Sequence, residues 1–314
     1  MRLLKNTPKM SVLILAALGL ISWGFEPHRQ INRRACLLLP EPMFGFFRHH
    51  IDFLTHHATD PDSRRYIDTN EAGKHFIDLE DYHEFCLPID SIPQRWDSLN
   101  NHYSTDQIRK FGSLPWNIFF KIHQLKNAFK ASDTMLILKI AADLGHYVAD
   151  AHVPLHTTKN YNGQLTNQKG IHGLWETLVP KLFMDTLLFS MESPRYLESP
   201  LDSIWKFIEE SHSHLPLTLE AEKWVKENLD IQKQQQYVQN GKMLSKTYSE
   251  EFIAMYHKRL NKIVEQRFIA AIKMVSNCWY TAWILSGEPN LPYSLNDEKP
   301  ITQSPQFELD HCDH

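Results

Sequence analysis

The segment His146-Tyr147-Val148-Ala149-Asp150-Ala151-His152-Val153-Pro154-Leu155-His156 holds three histidines and a carboxylate within eleven residues. On a helix, a His and an Asp four residues apart project from one face, so His146 and Asp150 can grip one metal ion between them. His156 follows Pro154, where a helix must stop, and the chain there can turn a third ligand back toward the same cleft. Sixteen residues later, His172-Gly173-Leu174-Trp175-Glu176 repeats the His-to-carboxylate spacing. Imidazole and carboxylate oxygen both suit zinc, and catalytic zinc sites keep one position open for water. A single such pair is ordinarily a surface contact worth a few tenths of a kcal/mol. Two pairs with His156 between them imply more than one ion. His152 competes with His156 as the third ligand, or else caps and solvates the helix end.

These side chains need rigid carriers. Asp133 precedes apolar residues at Met135, Leu136, Leu138, Ile140, Leu144 and Val148, a helical period with a cap, and the pattern ends before Pro154. That helix carries His146 and Asp150. Two further helical patterns, Thr218 to Gln239 and Ser249 to Leu285, are rich in Glu, Lys, Gln, Ala and Leu and contain neither glycine nor proline. Asn160 to Gly170 reads as a polar loop. Strand signals are weak throughout, so the expected fold is all-α: one domain of long helices with irregular loops.

Composition narrows the function classes. The chain has 314 residues, 42% of them apolar, which supports a core but not a polytopic membrane protein. Only 11 glycines disfavour a Gly-rich phosphate loop or a turn-dense β-sandwich, whereas 18 histidines favour metal binding or proton transfer. Acidic residues number 37 against 33 basic, which argues against holding nucleic acid or anionic lipid through a broad basic surface. Residues 1–22 carry Arg2, Lys5 and Lys9, then the apolar run Met10 to Ile21, then Ser22, the layout of a secretory signal peptide. That run falls short of the roughly 20 residues a membrane-spanning helix needs, and no other stretch is expected to span. Cleavage after Ser22 removes three positive charges and takes the formal charge from −4 to −7. Export to periplasm or medium would permit oxidation of Cys36, Cys86, Cys278 and Cys312. The tail, residues 301–314, is polar and expected to be disordered, which leaves 23–300 as the folded domain.

Further ligands stand upstream: Trp23-Gly24-Phe25-Glu26-Pro27-His28 begins where the leader ends, and Asp60 precedes His75-Phe76-Ile77-Asp78 by fifteen residues. The whole set resembles the superfamily of bacterial zinc-dependent phospholipases C and single-strand-specific zinc nucleases of fungi and plants. The resemblance runs from about residue 23 to 176. It implies a cleft with three zinc ions: Asp60, His75, His146 and Asp150 on the first, His156, His172 and Glu176 on the second. Trp23, through its free α-amine and carbonyl, and His28 hold the third, which Asp150 bridges to the first. Asp60 and Asp150 thus count as catalytic. The implied chemistry is hydrolysis of phosphate esters, a bridged metal pair acidifying water for in-line attack on phosphorus. Relatives also imply a bridge from Cys86, for which Cys278 on the C-terminal helix is the expected partner.

Detail within the match separates the substrates. The string His75-Phe76-Ile77-Asp78 and Trp175 before the last ligand resemble the nucleases, in which the positions of Phe76 and Asp78 stack on and hydrogen-bond a nucleobase. Glu176 followed by Thr177 departs from them, since nucleases usually carry Asp then Asn, and resembles the phospholipases. An exported nuclease or nucleotidase acting on single-stranded nucleic acid is therefore the leading expectation. A phospholipase C taking lipid headgroups is the alternative, and a non-enzymatic metal-binding protein the third.

Overall fold

A computed structural model of the chain describes residues 26–82, 92–240 and 243–291. Its helices run, in order, α1 (Glu26–Cys36), α2 (Met43–His49), α3 (Ile51–His56), α4 (Asp60–Arg64), α5 (Leu79–Tyr82), α6 (Trp96–His102) and α7 (Thr105–Phe111). There follow α8 (Leu114–Ala131), α9 (Thr134–Asp150), α10 (Ile171–Gly173), α11 (Pro200–Ser213), α12 (Leu215–Asn228), α13 (Glu250–Arg259) and α14 (Ile263–Leu285). One antiparallel hairpin, β1 (Gln235–Asn240) with β2 (Met243–Tyr248), is the only sheet among the described residues. The protein is all-α in class, and most of its described buried apolar residues share one core.

Helix α9 lies at the centre, packed on α8, α1 and α14. Its start follows the expected chemistry, since the Asp133 side chain accepts the Leu136 N–H and satisfies an otherwise orphaned donor. Ile137, Leu138, Leu144 and Val148 are buried along it. It stops at Asp150, and Val153 is extended as the residue before a proline must be. The crossing with α1 depends on Gly145. A Cβ there would lie 1.9 Å from Asn32 Oδ1, and Asn32 bridges the helices by donating to Leu54 O at 3.2 Å and Ala142 O at 3.1 Å.

Both long C-terminal patterns break. The first helix ends at Asn228, where Asn and Asp compete for the backbone; Asp230 then caps a short 3-10 turn and the Gln-rich remainder pairs as β1. The ladder runs from Gln235 opposite Tyr248 to Asn240 opposite Met243. The second pattern splits into α13 and α14 because Asn261 and Lys262 adopt left-handed backbone angles, φ 49° and 65°. The 23-residue α14 is long and apolar enough to cross a membrane by length and composition, contrary to expectation. Its inner face is instead committed to the core through Phe268, Ile272, Val275 and Trp279, and Trp279 donates to Ala141 O at 3.0 Å.

Cys278 carries a free thiol buried in that core, and its expected partner Cys86 lies outside the described residues. The leader, Trp23, Cys312 and the 301–314 tail lie outside them as well.

Candidate metal centre

Four stretches of chain bring seven of the expected ligands to one place. His28 comes from the first turn of α1, His75 from the turn before α5, and His146 and Asp150 from the last turns of α9. His156 comes from the 3-10 turn Pro154–Thr157, as Pro154 led one to expect. The 160–170 loop delivers the remaining pair. It is stitched by side-chain bonds to its own backbone, with Leu165 N–H donating to Asn160 Oδ1 at 2.8 Å and Gly170 N–H to Asn162 Oδ1 at 2.9 Å. His172 then stands on α10, and Glu176 on a π-helical turn, Leu174–Leu178, a distortion often found at functional sites.

Asp150 is the hub. Its Oδ2 lies 2.9 Å from His75 Nδ1 and 3.3 Å from His146 Nε2, and its Oδ1 lies 3.5 Å from His28 Nε2 and 3.9 Å from His156 Nε2. Glu176 faces the same space from the other side: Oε1 is 3.1 Å from His28 Nε2, and Oε2 is 2.7 Å from His172 Nε2 and 3.6 Å from His156 Nε2. The rings of His28 and His146 stack 4.2 Å apart. Three groups have ligand atoms close enough to hold metal ions: His28, His146 and Asp150; Asp62, His75 and His146; and His156, His172 and Glu176.

Ring orientation is fixed from behind. His146 Nδ1 faces Ala58 O at 2.8 Å and His156 Nδ1 faces His75 O at 2.6 Å, so both rings turn Nε2 toward the cluster. A second partner that fixes the tautomer is the usual arrangement of metal-ligating histidines. The buried Nε2 of His156 has no hydrogen-bond partner, which an electron-pair acceptor at this point would supply. Among side chains alone, burial disfavours charge, but Asp150 and Asp62 raise the His146 pKa to about 9, and Asp150 and Glu176 raise that of His156 to about 9. Despite burial, His146 and His156 hold Asp150, and His172 and His156 hold Glu176, well below the carboxylate range. The cluster is thus built to carry positive charge against two buried carboxylates, from protons or from metal.

One expectation changes. Asp60 does not join the cluster: its half-exposed carboxylate pairs with His57 Nδ1 at 2.6 Å, beside a separate groove lined by Arg64 and Lys121. Asp62, with Oδ1 3.9 Å from His146 Nε2, takes that place. Two residues apart on the short α4, the two aspartates point about 200° apart, so only one can face inward, and spacing to His75 alone did not say which. His152, the alternative to His156, does not face the cluster. Its ring stacks on Phe207 at 4.8 Å, its Nδ1 meets Val148 O at 2.7 Å, and burial together with the Arg267 charge keeps it neutral.

Phe76 is half-buried beside His75, and Asp78 follows with its N–H donating to Phe111 O at 2.7 Å. Gly112, at φ 89°, is what lets Phe76 approach, since a Cβ there would lie 2.7 Å from Phe76 Cδ2. Burial, and then Asp81 and Glu80, push the Asp78 carboxyl up to about 7. The sequence reading missed Glu71, which is 1% exposed on the far side of His75. Its position four residues before a ligand was the available signal. Burial alone would raise its pKa, but bonds from Lys74 and Tyr147 and the charge of Arg64 hold it down to about 2.

Fold and site together define an all-α protein with a buried histidine–carboxylate cluster able to hold metal ions. No protein-family model matches the chain, and no curated protein sequence matches it either.

Proposed function

We propose that this chain is an exported zinc-dependent phosphodiester hydrolase, acting as a nuclease or nucleotidase on single-stranded nucleic acid. The convergence of His28, His75, His146 and His156 on the two oxygens of Asp150 carries the reading. A nitrogen-and-oxygen donor set without thiolate suits zinc at a hydrolytic site. Asp62, His75, His146 and Asp150 are assigned to one ion and His156, His172 and Glu176 to a second. Trp23, as the first residue of the exported protein, and His28 are assigned to a third that shares Asp150. Zinc, when bound, supplies Lewis acidity and makes water acidic enough to react near neutral pH.

The chain's own groups divide the remaining work. Asp150, ionised and addressed by imidazoles on both oxygens, keeps the ligands of neighbouring ions in register. Phe76 offers a stacking face, and Asp78 a carboxyl whose pKa near 7 lets it accept or donate a hydrogen bond to a base edge.

A phospholipase C reading keeps one specific support, Glu176 followed by Thr177. Purified exported protein, analysed for metal and assayed for nucleotide release from single-stranded DNA and for phosphocholine release from phosphatidylcholine, separates the readings. Zinc with the first activity is expected. Zinc with only the second activity favours the phospholipase, and metal with neither favours a non-enzymatic metal-binding protein.

A further inference from the structure

Three histidines of the cluster have a nitrogen turned away from it, and one of the three faces a different kind of group from the other two. For His146 and His156 it is a backbone carbonyl. For His75 it is a carboxylate: Nε2 is buried, makes no hydrogen bond, and lies 3.9 Å from Glu71 Oε1. Glu71 is itself held firmly. Its Oε1 also accepts from the Tyr147 hydroxyl and from Arg64 Nη2 at 3.2 Å, and its Oε2 faces Lys74 Nζ at 2.6 Å. Arg64 in turn forks onto Asp143 at 3.1 and 2.9 Å, where Lys121 joins at 2.8 Å. The Tyr147 ring packs edge-on against His75 at 5.3 Å. A buried carboxylate with this many donors cannot drift, so it gives His75 a fixed anionic neighbour.

We propose that Glu71 is a positioning residue that takes the His75 proton onto the Nε2 side and frees Nδ1 to donate its electron pair to a metal ion. Nδ1 now lies 2.9 Å from Asp150 Oδ2 and 3.1 Å from His146 Nε2, among the other ligand atoms. A proton on Nδ1 bonds to Asp150 and blocks coordination. When it leaves, Nε2 must carry the ring's proton, and Glu71, 3.9 Å away, is the fixed anion whose charge stabilises it there. No charge is gained or lost: one N–H bond breaks, another forms, and the imidazole stays neutral. The same carboxylate raises ligand basicity, as outer carboxylates do in histidine-bound metal sites.

The inference rests on His75 being a metal ligand, and the test separates the two ideas. Zinc affinity is measured by chelator competition for the full exported chain and for Glu71→Gln and Lys74→Gln. The imidazole N–H protons of the zinc-loaded protein are followed by NMR. Glu71→Gln should weaken zinc binding about 10- to 100-fold. Lys74→Gln, which removes an ion pair from the opposite oxygen, should leave it within about threefold. In the zinc-loaded parent, His75 should show a slowly exchanging Nε2–H that shifts in Glu71→Gln, a signature that a purely structural role would not move. Parent protein that takes no zinc overturns the metal assignment. Parent that takes zinc while Glu71→Gln binds equally well overturns the role of Glu71. If that variant does not fold, a proton on Nδ1 of His75 in the zinc-loaded parent overturns it instead.

Discussion

Glu176 Oε1 stands 3.1 Å from His28 Nε2, tying the first described helix to a π-helical turn 148 residues away. The other oxygen of Glu176 faces His156 and His172, so one carboxylate serves histidines from three parts of the chain. Glu176→Gln should therefore lower metal content by at least one ion per chain, whereas His172→Ala, at the exposed edge, should cost about one. Asp150→Asn should cost more than one. Plasma emission analysis of the dialysed variants reads this directly, and equal losses in Asp150→Asn and His172→Ala would remove the sharing role of Asp150.

Asp62 and Asp60 give opposite expectations. Asp62 Oδ1 faces His146 Nε2, while Asp60 is occupied by His57 outside the cluster. Asp62→Asn should reduce metal content and lower turnover at least tenfold, and Asp60→Asn should retain both. The reverse result would restore the fifteen-residue spacing as the guide.

The pH response follows from the two raised imidazoles. His146 and His156, with folded values about 9 against an ordinary 6.5, contribute stability that is complete below pH 6.5 and lost as pH rises through 9. Asp150 and Glu176, held low, contribute above their ordinary values and lose that contribution only as pH falls through their depressed ones. The melting temperature of chelator-treated protein should accordingly fall between pH 6.5 and 9. Each of the two ions must displace one of those protons, so the affinity for each zinc should rise across this window, by up to about one power of ten per pH unit. Calorimetry with and without zinc measures both, and a pH-independent melting temperature would contradict the raised values.

Phe76 and Asp78 separate substrate binding from metal binding. Phe76→Ala should cost about 1–3 kcal/mol of stacking, roughly 5- to 150-fold in turnover of single-stranded DNA, with metal content unchanged. Asp78 is a destabilising anion above pH 7, because its folded value of about 7 exceeds the ordinary 3.8. Asp78→Asn should raise the melting temperature at pH 8 but not at pH 4, and lower nucleotide turnover. A variant that gains stability and keeps full activity would take Asp78 out of the site.

Two glycines test the packing behind the cluster. Gly145→Ala places a Cβ against Asn32 at the α1–α9 crossing, next to His146, and should cost about 1–3 kcal/mol and several degrees of melting temperature. Gly173→Ala, where no atom lies within 4 Å of the added carbon, should be close to neutral although it adjoins His172. Thermal melts of the two proteins decide it.

The sequence alone determined what is local. Four-residue spacing put His146 with Asp150 and His172 with Glu176, because i and i+4 share a helix face wherever the helix lies. Asp133 and Pro154 bounded α9 for equally local reasons, a cap and a steric block. Pro154 likewise favoured His156 as the residue turned back toward the cleft. Tertiary structure decided everything that depends on which face is inside. It chose Asp62 over Asp60, which differ by a rotation about a short helix, and it buried His152 against Phe207. The long C-terminal patterns broke because composition measures average propensity, whereas Asn261 and Lys262 turn the chain at one point and the Gln-rich stretch pairs with a strand beyond its own window. Glu71 stands four residues before His75 in the sequence, but only the fold set its carboxylate beside the one nitrogen of His75 that makes no hydrogen bond.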